Sequence, residues 1–291
     1  MLRIRDYYDY SALQEDILDL KFRFQNLFDS RLFEVNTIGQ TALNKNLYCL
    51  KLGTGSVKIT INATHHALEW ITSVIIMKFI EDICQNSTIF GFNILDILEN
   101  HSIYFVPMVN PDGVEMVTHQ KAKYKNWQAN FYGVDINHNY DAGFWKYKEI
   151  EKSLGITGPC STKYSGPFPE SELETRAMTN FTESLDFARV MALHSQGEEI
   201  YYSYNKIIPT GTLELAHKMS DISGYKLLTP VSAAAFGGYK DWFIKKFNRP
   251  GFTIEVGSGV NPLPMSQFDQ IYIKTAKIIL TFINRLHTNL S

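Results

Sequence analysis

Cysteine is scarce: Cys49, Cys84 and Cys160 are the only three in 291 residues, and no two stand in a Cys-x-x-Cys spacing. Neither a disulfide framework nor a cysteine-ligated zinc site is indicated, and reduced thiols are the expectation. An excess of either charge is also missing, since 28 Lys and Arg stand against 30 Asp and Glu. A net charge of −2 carries no electrostatic footprint for nucleic acid and no polybasic segment to hold an anionic membrane. No apolar run approaches the ~20 residues that a bilayer requires. The longest, Ile71 to Ile80, is interrupted by Thr72, Ser73 and Lys78. Asp6, Asp9 and the tyrosines 7, 8 and 10 stand where a secretory leader needs a continuous apolar core. The expectation is a cytoplasmic chain without a membrane span. Repeats, low-complexity tracts and Pro/Gly/Ser-rich linkers are absent too, so residues 1–291 are expected to form one domain.

What is present, 45% apolar and 13% aromatic residues, is an ordinary globular composition with enough apolar mass for a sizeable core. Ser11 followed by Gln14 has the form of a capping box, and Leu13, Ile17, Leu20 and Phe24 recur at helical spacing, predicting a helix over 12–27. β-rich runs at 32–38, 47–52 and 57–62 are separated by turn signals at Gly39 and Gly53-Thr54-Gly55, and read as an antiparallel meander. A long, largely buried helix is predicted over 67–84. The run 103–109 is predicted as a strand closed by a turn at Asn110-Pro111-Asp112-Gly113. Further strands are predicted at 190–193, 200–204 and 252–256, with helices near 171–184, 211–222, 238–247 and 265–286. Strands buried on both faces and interleaved with helices predict an α/β fold around a mixed sheet.

The junction between the strand ending near Ala63 and the following helix carries His66 and Glu69. Three apart on a helix, they share a face, so imidazole and carboxylate can meet one metal ion. The spacing alone is weak, because His138 and Asp141 repeat it, and a surface His-Glu pair explains it equally well. His194 ends the apolar run Val190-Met191-Ala192-Leu193, and strand ends are where α/β sheets bind ligands. Glu255 lies among apolar neighbours in Phe252-Thr253-Ile254-Glu255-Val256, where an unpaired carboxylate is costly and needs a partner or a function. Two histidines and one carboxylate leave a zinc position open for water, and a second carboxylate can take that water's proton. Together they compose a hydrolase.

Seven blocks occur in order: His66-x-x-Glu69-Trp70, Asn110-Pro111-Asp112-Gly113, Gly133-Val134-Asp135-Ile136-Asn137, Tyr164-Ser165-Gly166-Pro167 with Ser171-Glu172, His194-Ser195, Gly237-Gly238-x-x-Asp241-Trp242 and Phe252-Thr253-Ile254-Glu255. Over nearly its whole length the chain resembles zinc carboxypeptidases of the carboxypeptidase A type. The resemblance implies a single α/β domain with a central mixed eight-stranded sheet. It also implies one zinc ion on His66, Glu69 and His194, Glu255 as general base, and Asp135 as the acid that orients a ligand imidazole.

Departures from that pattern concern the substrate. Leu68 and His138 stand where the family carries arginines, and Trp127 or Gln128 stands near the place of the carbonyl-polarising arginine. Ala233 replaces a tyrosine upstream of the Gly-Gly block. Without a bidentate arginine, the main physical reason to hold a C-terminal carboxylate is gone. With Asn137-His138-Asn139 and Gly238-Tyr239-Lys240-Asp241-Trp242, the chain is similar to bacterial γ-D-glutamyl-diamino acid endopeptidases. That resemblance implies a peptide or muropeptide substrate cut between γ-D-glutamate and meso-diaminopimelate. Asn137 and His138 would then hold the leaving-side carboxylate, with Lys240 deeper in the pocket. Competing expectations are a carboxypeptidase or N-acyl amino acid deacylase with an altered carboxylate clamp, and a zinc-containing muropeptide sensor. The lack of a leader or wall-binding repeat points to muropeptide recycling or sporulation.

Overall fold

The computed structural model describes residues 5–24, 33–229 and 235–284. Helix α1 (Tyr10–Phe24) starts two residues before its predicted place. Asp9 Oδ1 accepts from the Ala12 amide at 2.8 Å and takes the capping role, while Gln14 donates to Tyr48 Oη instead. The predicted extension to residue 27 and the start of the next strand at 32 lie outside the described residues.

Strands β1 (Phe33–Gln40) and β2 (Asn46–Leu52) form the expected antiparallel pair. The meander stops there. Strand β3 (Val57–Ala63) does not pair with β2, because β6 (His101–Val106) lies between them, antiparallel to β2 and parallel to β3. Gly53 and Gly55 make no hairpin. They let the chain press against the segment that enters β6, where a Cβ on Gly55 would lie 1.9 Å from the Asn100 carbonyl carbon. The five residues Ile59–Ala63 are all buried, which is the signature of a strand covered on both faces and fed by crossovers.

A two-residue pair, β4 (Thr88–Ile89) and β5 (Phe92–Asn93), leads into α3 (Ile94–Asn100), capped by the Asn93 side chain. The Asn-Pro-Asp-Gly block opens helix α4 (Pro111–His119) rather than closing a turn. Pro111 occupies the first helical position, where its missing N–H costs nothing, and Asn110 Oδ1 accepts from Gly113 N at 3.0 Å. Helices α5 (Phe144–Ser153) and α6 (Leu173–Ser184) precede β7 (Arg189–His194) and β8 (Glu199–Tyr201). The chain continues through α7 (Thr212–Ser223), β9 (Lys226–Leu228), α8 (Tyr239–Phe247), β10 (Gly251–Glu255) and α9 (Phe268–Ile283).

Eight strands form one mixed sheet in the order β1-β2-β6-β3-β7-β10-β8-β9, as the resemblance implied. One core layer packs Leu13, Ile17, Ile75, Met219 and Ile279 against Ile59, Met191, Leu193 and Ile254. The other packs Met178, Tyr239, Trp242 and Phe243 against Val190 and Ala192. The alternation along β7 thus sends odd residues to one layer and even residues to the other. Among the described residues no helix is long and apolar enough to cross a membrane. All three cysteines are free thiols, Cys49 and Cys84 buried and Cys160 partly so.

Glu174 on α6 is a buried carboxyl 3.4 Å from Asn130 Nδ2, with its Oε1 lacking a hydrogen-bond partner among the described residues. Burial foremost, with repulsion from Glu172, raises its pKa to about 7. An acid whose folded pKa lies above its unfolded value near 4.5 binds more protons folded than unfolded between the two. Its contribution to stability therefore falls as pH rises from ~4.5 to ~7, by as much as ~3 kcal/mol. Glu174→Gln removes this titration, so its stability relative to wild type, from urea melts at pH 5 and pH 8, is expected to improve across that window. An unchanged difference at the two pH values would show that Glu174 ionises freely in the fold.

Candidate active site

Three parallel strands, β3, β7 and β10, end on one edge of the sheet, and their carboxyl ends build the site. Such ends are where open α/β sheets place ligands. Just beyond β3, Thr64 takes φ +57°, an unusual conformation for a β-branched residue. Its hydroxyl oxygen lies 2.8 Å from that of Thr72 and 2.7 Å from that of Ser73, and its amide donates to Thr72 Oγ1 at 3.1 Å. These bonds from the start of α2 (Ile71–Gln85) hold the strained residue that turns the chain into His65 and His66.

The predicted helix begins as a single 3-10 turn, Ala67–Glu69, followed by α2. His66 is the extended residue that precedes this turn, and its carbonyl accepts from the Glu69 amide at 3.1 Å, closing the turn that brings the two residues together. Glu69 spreads its two oxygens between two imidazoles, Oε1 2.9 Å from His66 Nδ1 and Oε2 2.9 Å from His194 Nδ1. Candidate donor atoms of the three residues all lie within 4.8 Å of one another. Two imidazole nitrogens and one carboxylate converging at a partly open edge are the donor set zinc takes, with room for a further ligand. Among the described residues one further such group occurs, the buried Asp9, the half-buried Glu115 and the exposed His119, and there Asp9 already caps α1.

Asp135 lies 3.2 Å from the far nitrogen of His66, Nε2, through its Oδ1. Its Oδ2 accepts from the Lys163 amide at 3.0 Å. Burial acts to raise the pKa of Asp135, but His66, His138 and that amide outweigh it and hold the carboxyl well below the usual range. An anchored carboxylate behind a ligand imidazole fixes its tautomer and ring direction. Asp135→Asn, which keeps the shape, is therefore expected to weaken zinc binding about 10- to 100-fold, measured by competition with a chromogenic chelator. Unaltered affinity would mean that packing alone orients the ring.

Glu69 behaves like Asp135: burial raises its pKa, yet the two imidazoles prevail and lower it. Glu255 goes the other way. The parallel register pairs it with His194, and alternation puts it with Thr253 on the face opposite Ile254. Burial first, then repulsion from Glu69 and Glu199, raises its pKa well above the ordinary carboxylate value. A carboxylate with high proton affinity beside a ligand-bearing edge is suited to take a proton and give it back.

Beside Glu255 opens a pocket of about 160 Å³ lined by His66, Asn137, His138, Tyr201, Thr253 and Lys240, among others. His138 Nδ1 donates to the Phe236 carbonyl at 2.8 Å and its ring stacks on Tyr147 at 3.9 Å between centroids. Asn137 Oδ1 accepts from the Tyr239 amide at 3.2 Å. Gly237, at φ +81°, makes this contact of segments feasible, since a Cβ there would lie 2.5 Å from the His138 carbonyl oxygen. Lys240 is buried and is not a lone cation: its ammonium donates to the Ser203 carbonyl at 2.6 Å and to Asp241. Sequence reading missed Asp241, Tyr201 and Thr253 as pocket residues. Thr253 was within reach, because it shares the strand face of Glu255.

The positions without family arginines are occupied differently. Leu68 packs with Ala67 and Val117 in a small apolar cluster that Trp127 also joins. Gln128 Oε1 accepts from Thr162 Oγ1 at 2.7 Å, and Trp127 Nε1 donates to the Asn130 carbonyl at 3.1 Å, so neither supplies a charge. Ala233 lies outside the described residues.

Compared with known proteins, residues 25–278 match the family model for zinc carboxypeptidases. The chain belongs to the zinc carboxypeptidase family. It is 35% identical, over 94% of its length and 71% of the relative's, to gamma-D-glutamyl-L-diamino acid endopeptidase 1 of Lysinibacillus sphaericus. It is 32% identical to the uncharacterized protein YqgT of Bacillus subtilis, over 94% of its length and 76% of that protein's. Among solved structures it superposes on thrombin activatable fibrinolysis inhibitor with a TM-score of 0.80 at 20% identity, covering 98% of this chain and 75% of that one, a likeness of fold. As a zinc carboxypeptidase family member it is a zinc-dependent metallopeptidase whose substrates are peptides, and the His66, Glu69 and His194 group can hold one ion.

Proposed function

We propose that this zinc peptidase hydrolyses the amide between γ-D-glutamate and meso-diaminopimelate in peptides derived from peptidoglycan. The observation that carries this reading is the leaving-side pocket, where His138 stands in place of an arginine and the Lys240–Asp241 pair lies behind it. The diaminopimelate side chain ends in both a carboxylate and an ammonium. A lysine and an aspartate side by side offer each of them an opposite charge, which a pocket built for an apolar or singly charged side chain lacks. The relative from L. sphaericus, named for cleavage at a γ-D-glutamyl-diamino acid bond, supports the same choice.

His66, Glu69 and His194 would hold the zinc, which when bound supplies a Lewis acid for the scissile carbonyl and makes water a better nucleophile near neutral pH. Asp135 keeps the His66 ring directed at the ion. Glu255 accepts the proton of the attacking water and returns it to the leaving nitrogen, so the amine departs neutral. Asn137 and His138 hold the leaving-side carboxylate by hydrogen bonds. His138 Nδ1 donates to the Phe236 carbonyl, so its Nε2 donates to the substrate carboxylate in the imidazolium form, with both ring nitrogens protonated.

The test is incubation of zinc-loaded protein with L-Ala-γ-D-Glu-meso-diaminopimelate, with mass spectrometric detection of L-Ala-D-Glu and free diaminopimelate. Benzoyl and succinyl amino acids and an ordinary α-linked tripeptide serve as comparison substrates. Preferential release from the γ-linked peptide supports the reading. Cleavage of the acyl amino acids or the α-linked peptide in its place overturns it.

A further inference from the structure

A second pocket, of about 280 Å³, shares the ligand-bearing segment: Leu68 and Trp70, on either side of Glu69 in the chain, form one of its walls. Pro262, Leu263 and Pro264 form another. That loop is pinned to the neighbour of the ligand His194, because Ser195 Oγ donates to Asn261 Oδ1 at 2.8 Å and Asn261 Nδ2 donates to the Ser195 carbonyl at 2.7 Å. One wall thus flanks Glu69 in the chain, and the other is tied through Asn261 to Ser195, the chain neighbour of His194. Val117 and Thr118 of α4 complete the apolar lining.

Charge distinguishes this pocket from a plain apolar cleft. Lys121 and Lys125 line it, both exposed, and neither has a carboxylate within salt-bridge distance among the described residues. The ammonium of Lys121 sits 5.0 Å from the Tyr7 ring centroid. Asp6 lines the pocket as well, leaving an excess of one positive charge. Aliphatic walls with a cationic rim suit a short hydrocarbon segment that carries a carboxylate.

We propose that this pocket is the acyl-side subsite and that Lys121 and Lys125 there bind a carboxylate of the acyl group. The proposal rests on the peptidase reading above: with the leaving amine in the His138 pocket, the acyl group extends along the remaining wall of the site. A γ-linked glutamyl group has two methylenes between its scissile carbonyl and the carbon that bears a free α-carboxylate. An α-linked residue other than glutamate has no carboxylate at that place. Leu68, where the family carries an arginine, supplies the hydrocarbon contact, and the lysines supply the charge farther from the scissile bond.

The experiment compares zinc-loaded wild type with the K121A/K125A variant on two peptides, L-Ala-γ-D-Glu-meso-diaminopimelate and its analogue with 4-aminobutanoyl in place of γ-D-glutamyl. The analogue lacks that one carboxylate and nothing else. For the glutamyl peptide KM is expected to rise about tenfold with kcat nearly constant, since the loss is of ground-state and transition-state binding alike. For the aminobutanoyl peptide KM is expected to stay the same. Equal changes on both peptides, or none on either, overturn the proposal. If wild type cleaves neither peptide, the substrate reading fails separately. Calorimetric titration of L-Ala-D-Glu against L-alanyl-4-aminobutanoate then decides the pocket: an affinity loss of about tenfold confined to the glutamyl dipeptide sustains it, and equal binding by both proteins overturns it. Both lysines are exposed, so the variant is expected to melt with wild type.

Discussion

Glu255→Gln protein loaded with zinc is expected to keep its metal and to lose turnover by about two to four orders of magnitude. The substitution preserves volume and hydrogen-bonding reach but removes the ability to accept a proton. Glu255 makes none of the contacts that join His66, Glu69 and His194, so the metal-binding group should survive intact. Its raised pKa comes from burial and from the nearby Glu69 and Glu199 carboxylates, the conditions that turn a carboxylate into a competent base. Metal content by atomic spectroscopy and kcat on the γ-D-glutamyl peptide provide the two readouts. Loss of zinc would assign Glu255 to the metal, and a loss of less than tenfold in kcat would place the base elsewhere.

Removal of zinc by dialysis against a strong chelator is expected to abolish hydrolysis and to lower the melting temperature, with one equivalent of zinc restoring both. A ligand that binds only the folded state stabilises it by RT ln(1 + [L]/Kd), about 2.7 kcal/mol at a hundredfold excess over Kd. Without an ion, the buried Glu69 carboxylate is shared between the His66 and His194 imidazoles, while His66 keeps Asp135 at its other nitrogen. Leu68, Gln128 and Trp127, at the places where the resemblance would put arginines, supply no charge beside the metal site. Restoration at one equivalent, followed by titration calorimetry, checks the stoichiometry. Full activity after exhaustive chelation, or a need for two equivalents, would contradict a single-ion site at His66, Glu69 and His194.

Much of the site was legible because its chemistry lies at the ends of apolar runs. His194 closes a strand whose residues are all buried, and Glu255 closes another, so each acid or imidazole was conspicuous against its neighbours. Burial of that kind leaves a local mark in the sequence. The Asn-Pro-Asp-Gly block shows the limit of local marks: Asn before Pro serves a turn and a helix cap equally well, and the hydrogen bond from Gly113 to Asn110 decides between them. Likewise Gly53 and Gly55 signal a turn, yet their use here is close approach to the backbone at Asn100 and His101.

The periods in the sequence carried the α/β class, and the resemblance to zinc carboxypeptidases, resting on seven ordered blocks, pointed to His66, Glu69, His194 and Glu255 and to the positions without arginines. Tertiary structure alone decided that β6 separates β2 from β3, that the hydroxyls of Thr72 and Ser73 hold the strained Thr64, and that the Lys240 ammonium meets the Ser203 carbonyl. The physical reason is that a period of two says which face a strand buries but not which strand lies next to it. The charge that a pocket presents is likewise a sum over segments distant in the chain, and only packing brings those segments together.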